Sequence, residues 1–143
     1  METQPVERFI AALQDKDIET ISDLLDDHMT VVNPLSASGD AADAVRFEGK
    51  EASLGYFRGV TTQMGRIRFT DIEMSVVDGG RVVFFEANGD LTTDSGVPYR
   101  NVYVLKFELS GERIVRLVEY ANPVTFATTF GFPLGPAAGT AAR

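Results

Sequence analysis

RIRFTDIEMSVVDGGRVVFFEANGDL, residues 66–91, is the stretch on which the fold turns. From Arg66 apolar side chains recur with the two-residue period of a strand, and Asp78-Gly79-Gly80 is a turn between two such runs. Two more runs follow, 98–109 (PYRNVYVLKFEL) and 113–121, set off by the loop Thr92–Val97 and the turn Ser110-Gly111. The four strands 66–78, 81–91, 98–109 and 113–121 are expected to be antiparallel neighbours. Within the first, the apolar phase flips from Ile67 and Phe69 to Ile72, Met74 and Val76, and Gly89 interrupts the second. Both features belong where a long sheet bends at a bulge, so the sheet is expected to curve.

Upstream the period changes to that of a helix. Val6, Phe9, Ile10 and Leu13 make one amphipathic stripe, and Ile18, Ile21 and Leu25 make another after the Asp15–Asp17 break, where an Asp can cap the second helix. Met29–Asn33 reads as a short strand ending at Pro34. Residues 35–48 read as a loop long enough to be a lid or pocket rim. Leu54, Phe57, Val60 and Met64 space a third helix, weakened by Gly55 and Gly59. Downstream, Asn122 and Pro123 supply a cap and a first-turn proline, and Gly131 stops a final helix of about two turns. Helices followed by a curved sheet of long strands make an α+β domain, with the helices in the concave face of a cone-shaped antiparallel sheet and a pocket left between them. The domain is expected over 1–134, followed by a flexible tail over 135–143.

The chain is 143 residues long and 44% hydrophobic, enough for one core. Thirteen Lys and Arg against 21 Asp and Glu leave a net charge of −8, which repels nucleic acid and anionic membrane surfaces, so neither is expected as a partner. With no Cys and His28 alone, disulfides, thiolate catalysis and Cys/His zinc sites are excluded. Any metal would need all-oxygen ligands, and no Asp/Glu cluster has the spacing of a calcium loop, so no metal site is expected. METQPVERF carries no basic run leading into an apolar one, and the uncharged stretch Tyr120–Ala142 is broken by Pro123, Pro133 and Pro136. A cytoplasmic location is the expectation.

The remaining chemistry lies in carboxylates. On the last strand Val115, Leu117, Glu119 and Ala121 share one face, and Glu119 is its one ionisable group. If that face lines the pocket, desolvation raises the Glu119 pKa toward neutrality and suits it to acid/base work. If the face of Ile114, Val118 and Tyr120 is buried instead, Glu119 is solvated. Asn101, Tyr103, Leu105, Phe107 and Leu109 share the inner face of strand 98–109. There Asn101 and Tyr103 either orient a substrate oxygen or satisfy buried backbone groups. Glu86, Asn88 and Asp90 share a face with Val82 and Phe84, while Val83, Phe85, Ala87 and Gly89 take the other; parity does not choose between them. Inward, Glu86 would pair with Glu119 and hold one of the two protonated; outward, it would make ion pairs at a rim or dimer interface. His28, at an expected helix C-terminus, and Asp40 and Asp43 are read as surface groups, and phenylalanines at 126–132 as a pocket mouth.

The order of elements, with Val31-Val-Asn33-Pro34-Leu35, Tyr99-Arg-Asn101-Val-Tyr103, Phe107-Glu-Leu109-Ser-Gly111-Glu-Arg-Ile114 and Glu119-Tyr120-Ala-Asn122-Pro123, resembles the nuclear-transport-factor-like superfamily over residues 5–134. Within it the likeness is to SnoaL-like polyketide cyclases, phenazine-biosynthesis A/B proteins and limonene-epoxide-hydrolase-like enzymes. The resemblance implies a cystatin-like α+β barrel, a homodimer joined through the sheet, a deep apolar pocket and chemistry without a cofactor. It places Glu119 on the phenazine proteins' acid/base Glu and Asn33 on the epoxide hydrolases' water-positioning Asn. Their water-positioning Tyr becomes Val31. Their Arg-x-Asp falls on Ala87-Asn88-Gly89 or Glu86-Ala87-Asn88, without the Arg. The ketosteroid isomerases' tyrosine on the first helix has no counterpart in Val6–Gln14.

Glu119, Glu86 and Asn33 are therefore the candidate catalytic residues, and Asn101, Tyr103, Asn88, Val31, Leu117 and Phe57 the candidate substrate-binding ones. The expected function is carboxylate acid/base catalysis on a small apolar, cyclic substrate, by cyclisation, isomerisation or dehydration in secondary metabolism. An epoxide hydrolase of the limonene-epoxide type and a non-catalytic ligand-binding or dimerisation module are the alternatives. A homodimer is expected because Val102, Val104 and Ile114 would leave an apolar patch on a monomer.

Overall fold

The computed structural model describes residues 3–136. The α+β cone is present: α1 (Gln4–Asp15), α2 (Ile18–Leu24) and α3 (Lys50–Gln63) pack against a curved sheet, and α4 (Pro123–Phe130) follows its last strand. The strands are β1 (Leu25–Asn33), β2 (Val45–Glu48), β3 (Met64–Arg66), β4 (Phe69–Val77), β5 (Val82–Gly89), β6 (Leu91–Thr93), β7 (Pro98–Tyr99), β8 (Val102–Ser110) and β9 (Arg113–Ala121). Six of them form the main sheet in the order β2-β1-β9-β8-β5-β4; β3-β6-β7 form a small second sheet. The main sheet is mixed, because β1 runs parallel to β9, and it stays open between the edges β2 and β4 instead of closing into a barrel.

Local chemistry sets the element ends. Lys16 takes a left-handed conformation (φ 58°) after α1, and Asp17 then caps α2, accepting from the Thr20 N–H at 3.1 Å and its hydroxyl at 2.7 Å. Asn122 accepts from the Val124 N–H at 2.9 Å to start α4, and Gly131 at φ 77° ends it. Leu25 belongs to β1 rather than to the second helix, because it pairs with Ile114 of β9. His28 therefore sits in a strand, not at a helix end, and stays exposed. The loop expected over 35–48 contains β2, which pairs back onto β1.

The expected bend in strand 66–78 lies between Thr70 and Glu73, where the register to β5 shifts and Asp71 adopts φ 54°. A second shift, between Glu108 and Leu109 of β8, leaves Val115 as an extra residue on β9 and turns Ile114 inward, where it is fully buried. Ile114 is thus a core residue and no part of an outer patch; exposed Val102 and Tyr120, with half-buried Val104, make up that face. Phe9 centres the core, with its ring 5.1 Å from Phe57 and 5.6 Å from Phe107 in edge-to-face contact. Of the expected tail, residues 137–143 lie outside the described residues, while Gly135 donates its N–H to the Ala37 carbonyl at 2.8 Å. Among the described residues no helix is long and apolar enough to cross a membrane.

Candidate active site

The concave face of the sheet, α3, α4 and the 35–37 segment enclose a cavity of about 650 Å³. Its wall is mostly apolar and aromatic, and among the described lining residues Glu119 is the one charged side chain. Alternation along β9 points Glu119 inward beside Leu117, opposite Leu105 of β8. Glu119 is half-buried, with its carboxyl on the cavity wall, and desolvation there raises its pKa above the ordinary glutamate value; a hydrogen bond from Tyr56 offsets part of the rise.

Tyr56 reaches Glu119 because α3 is fixed to β1. The Gly49 N–H donates to the Met29 carbonyl at 2.7 Å, and the Ser53 hydroxyl meets the same carbonyl at 3.2 Å. One turn on, the Tyr56 hydroxyl donates to Glu119 Oε1 at 2.8 Å. The Tyr56 ring stacks on Phe47 at 4.8 Å. Burial, then the Glu119 charge, push the Tyr56 pKa well up, so Tyr56 stays a protonated donor. Burial raises the pKa of Tyr99 and of Tyr103 as well; both line the same cavity.

Asn33 lines the cavity too, with its Oδ1 buried and without a hydrogen-bond partner among the described residues. Leu117 and Phe57 form part of the wall, and Phe126, Phe130 and Phe132 stand at its α4 end. Val31 does not line the cavity: it is fully buried between Leu117 and Phe47, its register partners on the neighbouring strands. Glu86 and Asn88 are on the outer face of β5, because Val83, Phe85, Ala87 and Gly89 take the buried one. Glu86 faces Glu73 of β4 rather than Glu119, and Asn88 donates to the Asp71 carboxylate at 2.9 Å. The expected carboxylate pair is therefore not formed. Asn101 is inward but satisfies backbone groups: its side chain bonds the Val102 N–H and both backbone groups of Asn122.

Tyr56 and Tyr99 are polar cavity residues that the strand-by-strand reading missed, as are Ser36, Gln63 and Asn122. The available signal was Gly55 and Gly59, one turn apart on a helix otherwise spaced for packing. A Cβ at either would meet no atom within 4 Å, so these glycines border open space. Among the described residues no group of three or more His, Cys, Asp or Glu is placed to hold a metal ion.

The sequence pattern of the SnoaL-like domain family matches residues 6–117. The uncharacterised protein YesE of Bacillus subtilis (strain 168) is 27% identical over 130 residues, 90% of this chain and 86% of its own. A solved structure of a candidate isomerase from Bacillus subtilis superimposes with a TM-score of 0.78 at 26% identity, covering 92% of this chain and 93% of that one. An LEH-like epoxide hydrolase of M. tuberculosis superimposes with a TM-score of 0.68 at 20% identity, covering 91% and 90%; at that identity the likeness is one of fold.

Proposed function

The chain belongs to the SnoaL-like domain family, and on that premise we propose that it is an acid/base enzyme, working without a cofactor, that acts on a small, neutral, cyclic substrate. The observation that carries this reading is one half-buried carboxyl, Glu119, hydrogen-bonded by Tyr56 in an apolar cavity. Cyclisation, isomerisation and dehydration share a step such a group performs: removal of a proton from carbon beside a carbonyl and its return elsewhere. Oε1 is held by Tyr56, which leaves Oε2 to take the proton. A carboxyl whose pKa burial has raised is a better proton acceptor than an ordinary glutamate and can still return the proton, and the apolar wall keeps water from competing. We place it in the cytoplasm as a homodimer formed through the outer sheet face.

The test uses 2-tetralone, a neutral bicyclic ketone, in D2O, with hydrogen exchange beside its carbonyl followed by NMR. The parent protein accelerates exchange, and Glu119→Gln, which keeps the shape and removes the titrating group, slows it by roughly 10²–10⁴. Equal exchange with parent and variant overturns the reading. Binding without exchange would support the non-catalytic module, and diol formation from 1-methylcyclohexene oxide the epoxide hydrolase.

A further inference from the structure

We propose that Tyr99 is the hydrogen-bond donor to an acceptor oxygen of the substrate, held in that role by Asn101. This rests on the same cavity and reaction class and adds the group that receives the carbonyl.

The orientation of the Asn101 amide is settled by its backbone partners. One terminal atom meets the N–H groups of Val102 at 2.8 Å and Asn122 at 3.0 Å; these only donate, so that atom is the oxygen. The other meets the Asn122 carbonyl at 3.1 Å and is the NH₂ group. That NH₂ also lies 2.8 Å from the Tyr99 hydroxyl. An amide NH₂ cannot accept, so the tyrosine oxygen accepts and its own proton is free for another partner. The neighbouring Tyr103 hydroxyl acts as a donor toward Tyr99, since their contact raises the Tyr103 pKa and lowers that of Tyr99, so the Tyr99 oxygen accepts there too and keeps its proton; the hydrogen bond that Glu119 makes comes from Tyr56.

A buried hydroxyl proton without an acceptor costs about 1–3 kcal/mol, and Tyr99 is 5% exposed on the cavity wall. A bound molecule with an oxygen lone pair removes that cost. The donor also selects. An ammonium ion has no lone pair to offer, and the absence of Arg, Lys and His from the described lining disfavours an anion. A neutral ring ketone or enone satisfies both conditions. When Glu119 takes the proton, the C–H electron pair becomes the new C=C bond and the carbonyl π pair moves to oxygen. Tyr99 stabilises the charge that develops there, and the bond it accepts from Asn101 strengthens its donation. Burial holds the Tyr99 pKa up, so it donates a hydrogen bond without losing its proton. Tyr99 is then a substrate-contacting residue and Asn101 a positioning residue.

The experiment is infrared spectroscopy of 2-tetralone labelled with ¹³C at the carbonyl, bound to the intact protein. In the parent the carbonyl stretch falls below its position in cyclohexane. Tyr99→Phe returns it toward that position and weakens binding roughly twofold to tenfold. Asn101→Asp still accepts the backbone N–H groups but turns the Tyr99 proton onto itself, so the shift is lost with Tyr99 in place. Glu119→Gln keeps the shift while losing exchange. A parent stretch at the cyclohexane position, a stretch unchanged in Tyr99→Phe, or no binding at millimolar ketone overturns the proposal. A shifted stretch without hydrogen exchange in the parent overturns the acid/base reading and leaves Tyr99 as the carbonyl donor. The parent spectrum decides alone if a variant fails to fold.

Discussion

The Tyr56 hydroxyl on α3 donates to Glu119 Oε1 on β9 at 2.8 Å, joining positions 63 residues apart in the chain. That bond favours the ionised carboxylate against the desolvation that disfavours it. Tyr56→Phe leaves desolvation unopposed, so the Glu119 pKa rises further. The acidic limb of the kcat/KM profile, which reports the base in the free enzyme, should move to higher pH, with the maximal rate less affected than by Glu119→Gln. A pH-rate profile for hydrogen exchange of 2-tetralone checks this; an unmoved limb would show that Tyr56 does not tune Glu119.

Burial of Glu119 also links stability to pH. Its folded pKa lies above the ordinary 4.5. Between those two values the folded chain holds a proton that the unfolded chain has released. This contribution is therefore complete below the unfolded value and lost as pH rises through the folded one. Glu119→Gln has no carboxylate to desolvate, so its thermal midpoint should exceed the parent's near neutral pH and converge with it in acid. Midpoints measured across that range would refute the buried assignment if the difference were constant.

Gly89 lets the Tyr103 ring lie directly over β5. A Cβ there would overlap the Tyr103 ring and come within 2.9 Å of Leu91 Cδ1. Gly89→Ala should cost about 1–3 kcal/mol in urea unfolding, by forcing packed side chains off their rotamers, and should weaken 2-tetralone binding because Tyr103 walls the cavity. The exposed Asp71→Asn, whose side chain lies outside the cavity, is the control and should change neither.

On the outer face Val102 is 58% and Tyr120 39% exposed, and Val104 pairs directly with Tyr120 across β8 and β9. An apolar face on a long sheet favours self-association. Light scattering at micromolar concentration should give twice the 15.6 kDa of one chain, and Val104→Asp should shift it toward the monomer. A parent mass of one chain would end the homodimer proposal.

Much of the fold was legible because its signals are local. The turn at Asp78-Gly79-Gly80, the phase flip that puts the bend at Asp71, the Asp17 and Asn122 caps and the Gly131 stop each depend on a few neighbouring residues, and each stands where the pattern puts it. Glu119 was legible as the one ionisable group in its row of β9. Parity sorts side chains into two faces but does not say which is the inner one when both are apolar, as on β5. The packing of the helices decided that Glu86 and Asn88 face outward. Nor does alternation mark where one extra residue enters a strand, so the bulge at Val115 that buries Ile114 was settled only by pairing with β8. The site depended on tertiary structure for the same reason. Whether Tyr56 meets Glu119 is set by the rotation and docking of α3 on β1, and whether Tyr99 has a free proton is set by which way the backbone turns the Asn101 amide. Both are relations between segments that no local period encodes.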